Sequence, residues 1–461
     1  MRVVIAGGGE IGKELAMLLS SSHEVVVIER NRSQVDLLSQ YIDGQVIHGD
    51  TTSLGTLLAV GISGAGLFIA ATGVDEVNLL ACVTAKRLGV PLVATCLQNP
   101  EYHSGNHLLA EEMQAVDLLL DPVLLAAKEV LKQIIEPGMT ANLLLVGGRV
   151  ALVAYTLSAD SHFTGQRIKE IELPGQGMIC AITRNGETWL PAEDHILTVG
   201  DLIYIVGTPL RKAHWFPQRA QRLLPQRILI GGGSSLGYQI AVLLGKLDLQ
   251  RETIIIAANR TRCEELAEKL PRTRVYLGDV TDKEFFVSII NKKSDMFVAA
   301  SDDDLVNVLL ALLAKSMDLT HILAVLRSTS CQAALAAVGN VSIVSPPTLF
   351  AEAVFRLLNR EKARRLSILG RGPVQAWEIV VQVGMSLVGK RFGRDRLPDG
   401  AIWCALVRNG ELLSLTQQEG VQVGDHLLLL LPDGHSATSM AYLMDEGEGK
   451  QKSMRHWLEQ P

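Results

Sequence analysis

The chain has 461 residues, more than one core holds at ~100–200 residues per domain, so it divides into three or four domains. Hydrophobic residues make up 48%, charged residues 20%, and the formal charge is −6; this is a globular composition without the broad basic face that nucleic-acid binding needs. The N-terminus enters a strand directly, with no secretion signal, and no apolar run approaches the ~20 residues that span a bilayer, so neither nucleic acid nor direct membrane insertion is expected. The 6 cysteines stand singly, without CxxC or a histidine partner at metal spacing, which predicts buried thiols in a reducing cytoplasm and no metal site.

In chain order, "RVVIAG", "EVVVIE", "QVIHG", "LFIAAT" and "LVATCL" are short Val/Ile/Ala runs, each followed by an amphipathic stretch. Strands alternating with helices predict an α/β, doubly wound parallel sheet of Rossmann-like type over 1–120. Gly7, Gly9 and Gly12 form GxGxxG between the first strand and the first helix. In that setting the first glycine makes a tight turn, the second admits a pyrophosphate to the backbone, and the third lets helix and sheet pack closely. The candidate phosphate-binding run is thus Gly7, Gly8, Gly9, Glu10, Ile11 and Gly12. Glu29 ends the second strand about 20 residues later, where a carboxylate accepts ribose hydroxyls and would repel a 2′-phosphate, favouring NAD over NADP. Asp50 with Thr51, and Thr72 with Gly73, lie at later strand ends, either as ligand contacts or as helix caps.

A helix is predicted from Asp121–Pro122, an aspartate cap followed by a first-turn proline. It connects to a small α+β domain ending near 208, with strands "VALVAYTL", "MICAITR" and "DLIYIVG" and one helical piece, "TGQRIKEIEL". Residues 209–226 read as a basic, proline-bearing linker.

The plan then repeats. "GDTT" at 49 returns as "GDVT" at 278, and "AATGVDEVN" at 70 as "AASDDDLVN" at 299. "DPVLLAAKEVL" at 121 answers "SPPTLFAEAVF" at 345, and "RNGE" stands at 184 and 408, both pairs 224 positions apart. A second Rossmann-like lobe over 227–344, a second connecting helix and small domain over 345–435, and a polar tail over 436–461 follow. In the second lobe the glycine turn reads "GGGSSLG". Aligned from Gly237, it places Ser234 with Gly9 and Gly232 with Gly7, leaves Gly233 between them, and makes Gly231 an inserted residue. Ser234 then sets a side chain where a phosphate would approach, and Ala257 stands at the place of Glu29. Asp302, Asp303 and Asp304 would repel phosphate unless they cap the next helix or hold a cation. Gly232, Gly233, Ser234, Gly237 and Asp279 are accordingly a weak or vestigial counterpart of the first site.

The order of glycine turn, "IERNR", "GDTT", "AATGVDEVNLLACVTAKRLGV", "QNPEY", "TGQRIKEIELPGQGMICAITRNG" and "VGDLIYIVG", doubled along the chain, resembles the TrkA family of peripheral subunits of Trk-type potassium uptake systems. The resemblance implies tandem RCK nucleotide-binding domains, each followed by a small α+β RCK C-terminal domain. It also implies NAD or NADH, with ATP and ADP as further ligands, a homotetrameric ring, and gating of a TrkH-type membrane potassium-translocating subunit from the cytoplasmic face. Many members carry arginines near the phosphates where this chain has Cys96 and Gln98, so the resemblance does not carry over a choice between ATP and NAD. The rival reading, an NAD-dependent dehydrogenase, needs a proton-transfer group facing the nicotinamide. His48, His103, His107 and His195 form no such constellation. A redox-sensing transcription regulator, the other rival, would need a helix-turn-helix or basic segment outside the doubled unit, and there is none.

Overall fold

The computed structural model describes residues 1–20, 23–42, 44–99, 102, 116–135, 139–145, 148–157, 161–174, 177–184, 187–209, 225, 227–247, 251–290, 295–319, 321–339, 341–358, 364–368, 374–392, 397, 401–413 and 419–432. The expected linker (but for its ends), the polar tail, His103 and His107 lie outside the described residues.

The first lobe is a six-stranded parallel sheet of β1 (Arg2–Ala6), β2 (Glu24–Glu29), β3 (Gln45–His48), β4 (Leu67–Ala70), β5 (Leu92–Cys96) and β6 (Leu118–Leu120), in the order β3-β2-β1-β4-β5-β6. The order reverses beside β1, so a crevice opens at its C-terminal end. Helices α1 (Glu10–Ser20), α2 (Arg32–Leu38), α3 (Leu54–Ala59) and α4 (Asp75–Arg87) connect the strands. Both faces are covered, which is why Val3–Ala6 of β1 and all of β4 are apolar. Val4, Ala6 and Phe68 pack with Leu57, Ala81, Cys82 and Ala85 of α3 and α4, while Leu15, Ala16 and Leu19 of α1 are buried on the side of Ile5.

Helix α5 (Pro122–Ile135) begins with the Asp121 carboxylate accepting the Val123 and Leu124 N–H groups at 2.8 and 3.1 Å. The first small domain is an antiparallel sheet of β7 (Met139–Leu145), β8 (Val150–Thr156), β9 (Met178–Arg184), β10 (Glu187–Trp189) and β11 (Leu202–Gly207), ordered β10-β9-β11-β8-β7. The helix expected over "TGQRIKEIEL" is only a 3₁₀ turn, Ile168–Glu170. Two of its three N–H groups are taken by the neighbouring loop, Ile168 by the His195 carbonyl and Lys169 by Glu193, and the Glu170 N–H closes only the tight turn onto the Arg167 carbonyl, so an α-helical ladder does not form.

The second lobe repeats the first: β12 (Arg227–Gly231), α6 (Ser235–Lys246), β13 (Glu252–Ala257), α7 (Arg260–Lys269), β14 (Thr273–Leu277), α8 (Lys283–Ile289), β15 (Met296–Ala299), α9 (Asp304–Ser316), β16 (His321–Val325), α10 (Thr329–Val338) and β17 (Ser342–Val344). Its strand order is β14-β13-β12-β15-β16-β17. Helix α11 (Pro346–Leu358) leads to β18 (Arg364–Ile368), β19 (Val374–Val380), β20 (Ile402–Arg408), β21 (Glu411–Leu413) and β22 (His426–Pro432). The order β18-β19-β22-β20-β21 is that of the first small sheet, strand for strand.

In space the halves regroup. One compact unit holds both lobes, Met1–Pro137 and Leu224–Leu357, and the other both small domains, Gly138–Leu223 and Leu358–Pro461. Within the first unit, Ala126, Ala127, Val130 and Ile134 of α5 share a core with Ile240, Ala241 and Leu244 of α6 and with Ile228 and Ile230 of β12. The helix that leaves the first lobe therefore completes the core of the second. Within the other unit, Leu152, Cys180 and Tyr204 of one sheet pack with Ala376, Cys404 and Leu428 of the other.

Candidate functional site

The first glycine turn is shaped by three constraints. Gly7 has φ +105°, and a Cβ there would lie 2.7 Å from the Ala71 carbonyl oxygen; a Cβ on Gly12 would collide with the Gly7 carbonyl. Both positions exclude any side chain. A Cβ on Gly9 meets nothing within 4 Å, so that glycine leaves open space above the start of α1, where unpaired N–H groups and the helix dipole favour an anion. Gly73 also faces open space.

Glu29 is brought to the turn by β2. Its Oε2 accepts the Gly8 N–H at 2.6 Å and its Oε1 the Asn31 N–H at 2.7 Å, while Gln34 Nε2 donates to the Gly8 carbonyl at 3.1 Å. Each carboxylate oxygen keeps a further lone pair for a hydroxyl donor. Asp50 does not cap α3; Ser53 does. Its Oδ1 accepts the Thr52 N–H and hydroxyl at 2.8 and 2.7 Å, and these bonds, with Arg30 nearby, hold its carboxyl below the ordinary range. Thr51 is buried behind it. The Thr72 N–H and hydroxyl donate to Asn78 Oδ1 at 2.8 and 2.6 Å. Glu10, the first residue of α1, keeps solvent contact; the protein crowding it, with like charge from Asp304 and Glu14 set against Lys13, holds its carboxyl above the usual range.

Two residues that sequence reasoning passed over organise this rim. Asn78 is fully buried, and its Nδ2 donates to the carbonyls of Thr72 and Cys96 at 3.1 and 2.8 Å, tying two strand ends together. The Asp75 carboxylate accepts the Gln98 and Asn99 N–H groups at 3.0 and 2.8 Å. The signal was in the repeat: "AATGVDEVN" and "AASDDDLVN" share this Asp and Asn. In the second lobe Asn307 bonds Ser301 and the Val325 carbonyl, and Asp304 accepts the Arg327 and Ser328 N–H groups.

The second turn corrects two expectations. Gly231 is not inserted: it lies in β12 opposite Ile256 and Ala299, as Ala6 lies in β1 opposite Ile28 and Ala70. A Cβ on Gly232, φ +127°, would lie 2.7 Å from the Ala300 carbonyl oxygen, and one on Gly237 would collide with the Gly232 carbonyl; both turns have the same length. Nor does Ser234 block the phosphate position. Its hydroxyl turns inward, donating to the Ala300 carbonyl at 2.7 Å and accepting the Gly237 N–H at 3.2 Å as the cap of α6. Asp303 caps α9, and Asp302 pairs with Arg327 at 3.3 Å, so these acids have structural partners. Asp279 holds Thr281 as Asp50 holds Thr52. The substitutions that do alter the ligand corner are Ala257 for Glu29 and, over the Gly233 carbonyl, Arg262 for Gln34, whose Nε donates at 2.7 Å.

Among the described residues no group of three metal-ligating side chains occurs, and no helix is long and apolar enough to cross a membrane.

A family model for the TrkA-N domain matches residues 3–116 and 228–346, and one for the TrkA-C domain matches 152–210. A Trk system potassium uptake protein TrkA homolog of Archaeoglobus fulgidus is 32% identical over 93% of this chain and 97% of its own length. Trk system potassium uptake protein TrkA of Haemophilus influenzae is 27% identical over 94% and 96%. Among solved structures, the GsuK RCK domain superposes with a TM-score of 0.60 at 18% identity, covering 96% of this chain and 94% of that one. The GsuK channel bound to NAD gives 0.59 at 19%, covering 96% and 78%. At these identities the last two establish the shared fold.

Proposed function

The chain belongs to the TrkA family, and from that premise we propose that it is the nucleotide-sensing regulatory subunit of a potassium uptake system. NAD or NADH, with ATP or ADP as further ligands, binds the first lobe along Gly7–Gly12, with Glu29 toward the ribose and Asp50, Thr51, Thr72 and Gly73 on the rim. A homotetramer of these chains docks on a TrkH-type potassium-translocating subunit at the cytoplasmic face of the membrane. One observation carries the ligand reading: Glu29 already grips the Gly8 N–H at 2.6 Å beside the open position above Gly9. Ribose recognition and the phosphate-facing backbone therefore move together.

The residues act by position. Backbone N–H groups at the start of α1 receive phosphate oxygens, Glu29 accepts hydroxyls, and the Asn78 bridge keeps the ends of β4 and β5 fixed while this happens. A bound nucleotide gates the partner only to the extent that it prefers one arrangement of the assembly; equal affinity for two arrangements shifts neither. This is the work of a regulator rather than a dehydrogenase, and turnover of NADH with an oxidised substrate would count against it.

The test is calorimetric titration of the full chain with NAD, NADH, ATP and ADP, repeated with Gly9→Asp. The substitution removes binding and leaves the melting temperature unchanged; unaltered affinities for all four ligands overturn the site. Normal potassium uptake in cells lacking the protein overturns the regulatory role.

A further inference from the structure

In the first lobe the ribose corner already holds an anion, the Glu29 carboxylate, which accepts the Gly8 and Asn31 N–H groups at 2.6 and 2.7 Å. The second lobe repeats the backbone of this corner without the anion. Ala257 ends β13 opposite Leu277 as Glu29 ends β2 opposite His48. A Cβ on Gly233 would lie 2.8 Å from the Ala257 Cβ, as one on Gly8 would lie 3.2 Å from that of Glu29. Asn259 caps α7 as Asn31 caps α2. Among the described residues, nothing takes the place of Glu29 as acceptor for the Gly233 and Asn259 N–H groups.

A cation stands there instead. Arg262 has the place of Gln34, and its Nε donates to the Gly233 carbonyl at 2.7 Å as Gln34 donates to that of Gly8 at 3.1 Å. The Arg262 Cγ lies 3.4 Å from where a Gly233 Cβ would be, so the guanidinium is anchored beside Ala257. Its Nη1 meets Glu265 on the next turn at 2.9 Å, with side-chain exposures of 32% and 49%, a pair too wet to hold the cation strongly. Its Nη2 has no partner among the described residues. Arg260, the counterpart of Arg32, is exposed at the first position of α7, while Ala258 stands for Arg30.

We propose that the second lobe is a site for a dinucleotide whose adenosine carries a 2′-phosphate, the chemistry of NADP. The inference rests on the nucleotide reading above, because the same kind of turn receives the pyrophosphate: Gly232 and Gly237 shape it, and the Ser234 hydroxyl is turned inward. At the end of the second strand of such a sheet an acid selects the 2′-hydroxyl and a nearby arginine the 2′-phosphate. Here the phosphate takes the position that the Glu29 carboxylate has in the first lobe. It accepts from the two backbone N–H groups left without an acceptor, and Arg262 adds the charge-assisted bonds that a dianion favours. NAD offers only a hydroxyl at this corner and leaves the guanidinium without an anion. Glu29 in turn repels the group that Arg262 binds, so the two lobes read the unphosphorylated and phosphorylated forms of one cofactor.

The experiment titrates NAD and NADP separately into the full chain, as wild type, Gly9→Asp, Arg262→Gln and Ala257→Glu. Wild type takes one NADP per chain, and saturating the first site with NAD leaves that stoichiometry unchanged. Gly9→Asp removes NAD binding and keeps NADP. Arg262→Gln copies Gln34, which makes the same bond to the turn, so the turn keeps its support; the substitution weakens NADP about tenfold or more. Ala257→Glu returns a carboxylate to the corner and weakens NADP at least as much. Both leave NAD at the first lobe within about twofold. NADP binding that disappears with Gly9→Asp, or that neither corner substitution weakens, overturns the inference while the first site stands. Failure of wild type to bind either ligand overturns both.

Discussion

Gly9 and Gly12 sit three residues apart in one turn, yet the structure asks opposite things of them. Gly12 has no room, since a methyl group there meets the Gly7 carbonyl; Gly9 has nothing within 4 Å. Gly12→Ala forces backbone apart and costs about 1–3 kcal/mol, as overpacking of a tight contact does. Gly9→Ala stays within about 0.5 kcal/mol, as at an open surface position. Paired thermal melts check this, with a lower midpoint for the first variant only. Equal midpoints would show that the turn yields where the geometry says it cannot. Much of this site was legible in the sequence, because a GxGxxG run between strand and helix has few other uses and Glu29 falls at a strand end. Ser234 was misread because a hydroxyl at a turn can face a ligand or cap its own helix, and only the Ala300 carbonyl 2.7 Å away decides. Gly231 was misread because consecutive glycines leave the register ambiguous until strand pairing fixes it.

At the scale of elements, the inner strands of the first lobe were readable as apolar runs because sheets covered on both sides want such residues, and the second lobe followed from the repeat. The 3₁₀ turn at Ile168–Glu170 was not, since its fate depends on loop carbonyls some 25 residues away. The small sheets contain another feature invisible to pattern, an ion pair repeated in both copies. Arg184 meets Asp201 through Nε at 2.6 Å and Nη2 at 2.8 Å, and Arg408 meets Asp425 at 2.9 Å through both nitrogens. Burial by itself would raise the Asp201 carboxyl, but the Arg184 guanidinium and the Thr198 N–H outweigh it and hold it below the ordinary range. A carboxyl depressed in the folded state contributes stability that is fully present above its unfolded pKa of about 3.9 and disappears as pH falls through the folded value. Asp201→Asn therefore destabilises the small-domain unit at neutral pH by about 2–4 kcal/mol, allowing for the partial exposure of Arg184. The difference from wild type shrinks below pH ~4. Denaturant melts at pH 7 and near pH 3 test the sign; a gap that persists undiminished in acid would assign the effect to packing.

At the scale of the molecule, the duplication yields two lobes with the same turn geometry and different ligand chemistry, which fixes an expected stoichiometry. Gly232 and Gly237 repeat the contacts of Gly7 and Gly12, so backbone alone does not separate the lobes. Ala257 does: it removes the carboxylate that would accept ribose hydroxyls, and such charge-assisted hydrogen bonds are worth ~1.5–3 kcal/mol each, about tenfold or more in affinity. Arg262 compounds the change by laying a cation over the Gly233 carbonyl where the first lobe has neutral Gln34. Titration of the intact chain should give one tight dinucleotide per chain, any second event being at least about tenfold weaker. Combining Ala257→Glu with Arg262→Gln should bring the second event toward the first, because turn, cap and rim are already in place, with Asn307 and Asp304 reproducing Asn78 and Asp75. Two equal sites in the wild-type chain would mean that Glu29 contributes little to affinity. The second lobe would then be a second sensor, and the duplication would have doubled the signal rather than supplied a scaffold for it.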